Sequence, residues 1–254
     1  MESINSDKYT DSMMDNMPVS KIQFSGESNE YVILGKKKYY KNELLSAFGG
    51  TLNPGLSPPS KYNFANPVPL GLAAFSFTTF VLSMYNAGAM GVHTPNVVIG
   101  GACFYGGAIQ LLAGIWDLIL GNTFGGTALS SYGGFWLSFA SIYLEDFGIA
   151  KAYENEPEQF GNAVGFFLLG WAIFTFMLVL CTTKSTVAFF SLFFTLFITF
   201  VLLACGEFTG NAKITKAGGI IGVITSFIGF YNAFVGAATR QNSYIVPKVI
   251  PLPH

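Results

Sequence analysis

The sequence predicts an all-α, polytopic membrane protein with six transmembrane helices and both termini cytoplasmic. Three observations carry that prediction. Of the 254 residues, 51% are hydrophobic and only 11% charged, against roughly 25% charged in a soluble domain. The charges are also segregated: residues 1–65 hold seven lysines and seven carboxylates, leaving 13 charged residues for the other 189 positions. Beyond Leu70 the apolar residues gather into six stretches, each near the ~20 residues that cross a hydrocarbon core of about 30 Å. Helices of a soluble bundle would need polar faces, yet the window from Ala188 to Cys205 carries no charge. A membrane β-barrel would alternate apolar and polar residues, which these runs do not.

Residues 1–45 read as a polar cytoplasmic arm, rich in Ser, Asp, Asn and Lys, a composition suited to disorder. Its Ser and Thr could accept phosphate or simply keep the arm solvated. No apolar run with a positive flank and a cleavage site occurs in the first 60 residues, so insertion is expected to begin at an internal span. A connector at 46–65 follows, marked as turn-rich by Gly49, Gly50, Asn53, Pro54, Gly55, Pro58 and Pro59. The transmembrane domain occupies 66–240, and 241–254 is a short cytoplasmic tail.

The six spans are expected near 67–86, 97–119, 127–144, 160–182, 186–206 and 217–238. Asn66 can cap the first, and Pro67 and Pro69 are tolerated in a first turn, where no internal hydrogen bond is lost. Along that span Ser76, Thr79, Ser83 and Asn86 step by three and four down one side; Gly106, Gln110, Gly114 and Asp117 form a comparable stripe in the second. Each stripe is either a hydrogen-bonded helix interface or the wall of a polar pathway. Small residues recur at helical spacing in the third span (Ser130, Gly134, Ser138, Ser141), at the start of the fourth (Gly161, Gly165) and along the sixth (Gly218, Gly222, Ser226, Gly229, Ala233, Gly236). Such faces let helix backbones approach closely and drive association in lipid.

Orientation follows from Lys and Arg. An even number of spans puts the tail, the turn with Lys184, and Arg240 and Lys248 on one side; Lys151, Lys213 and Lys216 face the other. The richer side is cytoplasmic. Glu145, Asp146, Glu154, Glu156 and Glu158 make the third-to-fourth loop an acidic outer rim.

Several chemistries are set aside. A net charge of −1 gives no basic surplus for nucleic acid. Cys103, Cys181 and Cys205 lie in apolar stretches and read as packing residues. With only His93 and His254, a zinc site is not available, and the first-span serines have no base for hydrolytic chemistry. No metal or cofactor and no enzymatic activity are expected. Asp117 and Glu207, near span ends, read as reaching the headgroups. No span carries a central charge, so a path through this domain serves a solute that is small, weakly polar or able to travel neutral.

The string Asn66-Pro67-Val68-Pro69-Leu70-Gly71-Leu72 closely resembles the N-P-A-P-L-G-L signature of the acetate uptake transporter (AceTr) family, which includes the bacterial succinate/acetate permease and fungal acetate permeases and ammonia-export proteins; Val68 replaces the usual Ala. Phe104-Tyr105-Gly106-Gly107 with Gln110 and Gly114, Asn122-Thr123-Phe124-Gly125 through Ser131-Tyr132-Gly133-Gly134-Phe135-Trp136, and Gly170-Trp171 with Phe174-Thr175 also match. The likeness covers about residues 47–245. It implies a six-helix protomer assembled as a homohexamer in the plasma membrane, each protomer with a pore for acetate and related small monocarboxylates. Transport would be symport with protons or follow a route like that of an anion channel.

The resemblance further implies a hydrophobic constriction at Phe75, Tyr132 and Leu196. Substrate would enter by the helix end of Asn66, Pro67, Pro69, Leu70 and Gly71, with Ser76, Thr79 and Gln110 as polar contacts and the Tyr132 hydroxyl steering a carboxyl group. A non-transporting nutrient sensor or scaffold on the same fold is the alternative. Export of ammonia is a third reading, although no span holds the paired histidines of dedicated ammonium channels.

Overall fold

A computed structural model of the chain describes residues 23–26, 30–34, 37–41, 43, 65–92 and 94–252. The rest of the arm, nearly all of the Gly/Pro connector, His93 and His254 lie outside the described residues. The chain divides into two units, Met1–Asn63 and Phe64–His254.

In the first unit, β1 (Gln23–Ser25), β2 (Tyr31–Leu34) and β3 (Lys37–Tyr40) form an antiparallel sheet in that order. Val32 pairs with Tyr39 and is buried, Tyr31 and Tyr40 lie 4.8 Å apart by ring centroids, and Lys38 Nζ sits 3.8 Å over the Tyr31 ring. Strands thus occur within the arm whose composition suited disorder. Average composition hid the run Tyr31-Val32-Ile33-Leu34, whose aromatic and β-branched side chains suit a pleated surface.

The second unit is helical: α1 (Val68–Asn86), α2 (Asn96–Cys103), α3 (Gln110–Ile119), α4 (Thr123–Tyr143), α5 (Pro157–Cys181), α6 (Val187–Thr209) and α7 (Ala212–Ala237). Between α2 and α3 the chain widens into a π-helical stretch, Phe104–Ile109, so the expected second span is one helix with a bulge. The bulge lies in a narrow space. A Cβ on Gly106 would come 2.8 Å from Thr78 Cβ of α1, and one on Gly107 would come 2.6 Å from Leu137 Cδ2 of α4.

Among the described residues, five helical segments are long and apolar enough to cross a membrane: Val68–Asn86, Asn96–Ile119, Pro157–Cys181, Val187–Thr209 and Ala212–Ala237. Helix α4 has comparable length, 21 residues, but Gly, Ser and Thr dilute its hydropathy.

Local chemistry sets the helix ends. Asn66 Oδ1 accepts from Val68 N at 3.0 Å, and Pro67 precedes the first turn of α1. Asn122 Oδ1 accepts from Gly125 N at 3.0 Å while its Nδ2 donates to Asp117 Oδ2 at 2.8 Å. That pair ties the end of α3 to the start of α4. Asp117 is buried at 3% exposure, so it serves this junction and does not reach out as expected. Thr186 caps α6 and Asn211 caps α7 through Phe189 N and Lys213 N. Gly210, at φ +59°, ends α6 in a left-handed turn that a side chain would disfavour.

Four seams are close backbone contacts: α1 on α7, α6 on α7, α5 on α6, and α3 on α4. Glycines make them possible. A Cβ on Gly236 of α7 would lie 2.8 Å from Pro69 Cγ; on Gly165 of α5, 2.6 Å from Phe208 Cε1; on Gly133 of α4, 2.6 Å from Leu111 N. The small residues of α7, expected as one face, divide between two partners. Gly222, Gly229 and Gly236 meet α1 at Ser83, Ser76 and Pro69, and Gly218 meets α6 at Leu203. These contacts make α1 and α6 both antiparallel to α7 and therefore parallel to each other. The pairs Gly71 with Leu129 and Phe75 with Tyr132 make α4 parallel to them as well.

Candidate functional site

Helix α4 meets α5 and α6 through long side chains rather than close backbones. Phe135 stacks on Phe167 of α5 at 5.6 Å and packs edge-on against Phe200 of α6 at 5.2 Å; Tyr132 contacts Phe174 at 5.8 Å and Phe193 at 6.4 Å. Large side chains leave gaps that glycine seams do not. A cavity of about 100 Å³ lies among α1, α4, α5 and α6, ample for a small solute when a single water needs about 10–15 Å³ by this measure.

Its wall changes character along the helices. Phe75 and Leu196 line one part, Thr79, Trp136 and Thr199 follow along the same three parallel helices, and Asn86, Tyr143 and Glu207 come last. Leu168 and Val164 of α5 complete the apolar side. Glu207, half-buried in the last turn of α6, lines the cavity. No Lys or Arg among the described residues lines this wall.

The structure brings together the three residues expected at a constriction. Phe75, Tyr132 and Leu196 are all buried, the Phe75 and Tyr132 rings are 5.6 Å apart, and Leu196 shares the cavity wall with Phe75. The Tyr132 hydroxyl lies 2.9 Å from Thr175 Oγ1, which itself donates to Trp171 O at 2.7 Å. Thr175 has spent its proton, so Tyr132 donates to Thr175. That donor is engaged in this conformation, so steering a carboxylate would require it to leave Thr175.

The expected polar contacts separate. Thr79 lines the cavity. Ser76, fully buried, donates to Leu72 O at 2.6 Å and packs on Gly229 of α7, so it belongs to a helix seam. Gln110 is also fully buried at the start of α3 and is not among the cavity residues; neither amide atom has a hydrogen-bond partner among the described residues. Asn66 and Leu70 are exposed at the start of α1, Pro67 and Pro69 are half-buried, and Gly71 packs against Leu129. These five build the helix start and lie outside the cavity wall.

Sequence reading missed Trp136, Phe139 and Tyr143 as parts of this wall, together with Phe200 and Leu168. A signal existed for α4: Tyr132, Trp136, Phe139 and Tyr143 step by four, three and four, one aromatic stripe along the helix. The Trp136 indole Nε1 and the Thr79 hydroxyl are buried without partners among the described residues. A buried polar group left unpaired costs about 1–3 kcal/mol, so both are notable on a cavity wall.

Comparison with known proteins gives a consistent result. Residues 48–254 match the family model of the GPR1/FUN34/yaaH family. The chain is 57% identical over 235 residues to "Ammonia transport outward protein 2" of Saccharomyces cerevisiae, covering 92% of this chain and 83% of that one. It is 47% identical over 225 residues to "Acetate permease A" of Emericella nidulans, covering 84% and 74%. The solved structure described as "Structure of the bacterial acetate channel SatP" superposes with a TM-score of 0.66 at 34% identity, over 74% of this chain and 99% of that chain.

Proposed function

Because the chain belongs to the GPR1/FUN34/yaaH family, the acetate transporter family, we propose that it moves acetate and other small monocarboxylates across a membrane, with one pore in each protomer of a homohexamer. The observation that carries this reading is the cavity among α1, α4, α5 and α6, with Phe75 and Leu196 on its wall and Tyr132 against Phe75. Relatives described as an acetate permease and an acetate channel support the substrate class.

In this reading α4 also crosses the membrane, as the third of six spans, both termini are cytoplasmic, and the protein resides in the plasma membrane. A low-polarity constriction disfavours hydrated ions, and with no fixed cation on the wall the solute's own protonation sets how easily it passes. Movement is thus proton-linked, or channel-like with the pH gradient as a drive.

A second reading, ammonia export, is favoured by the 57% identity to an ammonia transport outward protein. The two connect physically, since movement of a weak acid with its proton changes the pH on which ammonia release depends.

Labelled-acetate flux into liposomes holding only this protein, with and without a pH gradient, tests the proposal. Flux is expected, and Tyr132→Ala, which removes the ring packed on Phe75, is expected to alter or abolish it. Absence of flux at every pH would favour a sensor or scaffold.

A further inference from the structure

We infer that Trp136 and Thr79 form a two-donor station for a carboxylate inside the cavity, one helical turn past the Phe75–Tyr132 pair. The station rests on the reading that small carboxylates pass through this cavity. Thr79 follows Phe75 by four residues and Trp136 follows Tyr132 by four, on parallel helices, a displacement of about 6 Å along each axis. Both residues line the cavity, at 5% and 2% exposure; Thr79 Oγ1 and Trp136 Nε1 are themselves covered, so they meet a bound solute after a small rotation of either side chain.

Three features single these groups out. Three threonine hydroxyls on nearby helices are already spent on their own backbones: Thr78 donates to Ala74 O at 3.0 Å, Thr199 to Thr195 O at 2.9 Å and Thr225 to Ile221 O at 2.9 Å. Thr79 Oγ1 and Trp136 Nε1 make no such bond among the described residues. An indole N–H can only donate, so Trp136 selects an acceptor, which a carboxylate or a carboxylic acid carbonyl supplies. Thr79 can donate to the second oxygen of the anion or accept from the O–H of the acid, so the pair accommodates either protonation state.

Tyr132, the other polar group near the constriction, has its proton committed to Thr175. With no Lys or Arg on the wall among the described residues, the station binds through neutral dipoles. Such a site holds an anion weakly enough to release it, as conduction requires.

The test uses the full-length protein, with labelled acetate as the probe in two measurements: concentration-dependent uptake into liposomes and equilibrium binding to the purified protein. Thr79→Val removes the hydroxyl at nearly constant volume, and Trp136→Phe removes the N–H while keeping an aromatic ring. Each is expected to raise the half-saturating acetate concentration about tenfold, the scale of one hydrogen bond to a charged group. Thr79→Ser is expected to restore the wild-type value. Thermal unfolding of each variant separates misfolding from loss of a contact, and the Ser rescue holds even if Trp136→Phe disturbs packing. Unchanged half-saturation for both variants would overturn the station and leave a fixed water as the partner of these groups. Binding weakened as expected, but with no flux in the wild type, would count against transport and for the station.

Discussion

Phe75, Tyr132 and Leu196 come from three helices and are all buried; in the proposed transport reading they would set the width of the passage. Leu196→Ala removes a buried side chain on the cavity wall and is expected to cost about 2–5 kcal/mol of stability while widening the passage. Uptake of larger monocarboxylates relative to acetate should rise in surface-verified Leu196→Ala protein. An unchanged ratio would place the size filter elsewhere. These three residues were legible only through the family motif. Thr79 was legible from its stripe, but the same stripe offered Ser76 equally, and spacing alone cannot say which neighbouring helix a face meets. Trp136 stayed hidden because an aromatic residue in an apolar helix reads as core until its N–H is found without a partner.

Helices were legible wherever hydropathy was continuous. The helix starts at Asn66, Asn122, Thr186 and Asn211 follow ordinary capping chemistry. Helix α4 is apolar on average but diluted, since its small residues serve its seam with α3 and its aromatics serve the cavity. The π-helical stretch at Phe104–Ile109 had no sequence signal beyond the paired glycines Gly106 and Gly107. The α7 glycines did announce tight packing, though not that they serve two partners. Gly229→Leu would drive a branched side chain into Ser76 and Leu192, and overpacking costs about 1–3 kcal/mol or more. A lower unfolding temperature of the purified protein, with weaker assembly by size-exclusion chromatography, is the expected outcome. Gly134, with nothing within 4 Å of an added Cβ, is the contrasting position, and Gly134→Ala should leave the unfolding temperature nearly unchanged.

At the scale of the whole molecule, the distribution of Lys and Arg predicts cytoplasmic termini. Single cysteines introduced at Ser6 and Ser243, in a background lacking Cys103, Cys181 and Cys205, should resist an impermeant thiol reagent in intact cells, while one at Asn155 should react. The reverse pattern would invert the topology. The sequence by itself determined that this is a helical membrane protein with a polar arm, because hydropathy and charge are sums over residues that do not depend on which helix packs on which. It also placed the start of the first span, since the Asn66 cap is a local hydrogen bond, whereas the starts expected at 127, 160 and 217 fall three to five residues inside α4, α5 and α7. Only the tertiary structure decided which polar side chains face the cavity and which face a seam, that Asp117 ties α3 to α4, and that Glu207 lines the cavity. Those facts depend on the distance between helices, and that distance is set jointly by the glycines of one helix and the side chains of its neighbour.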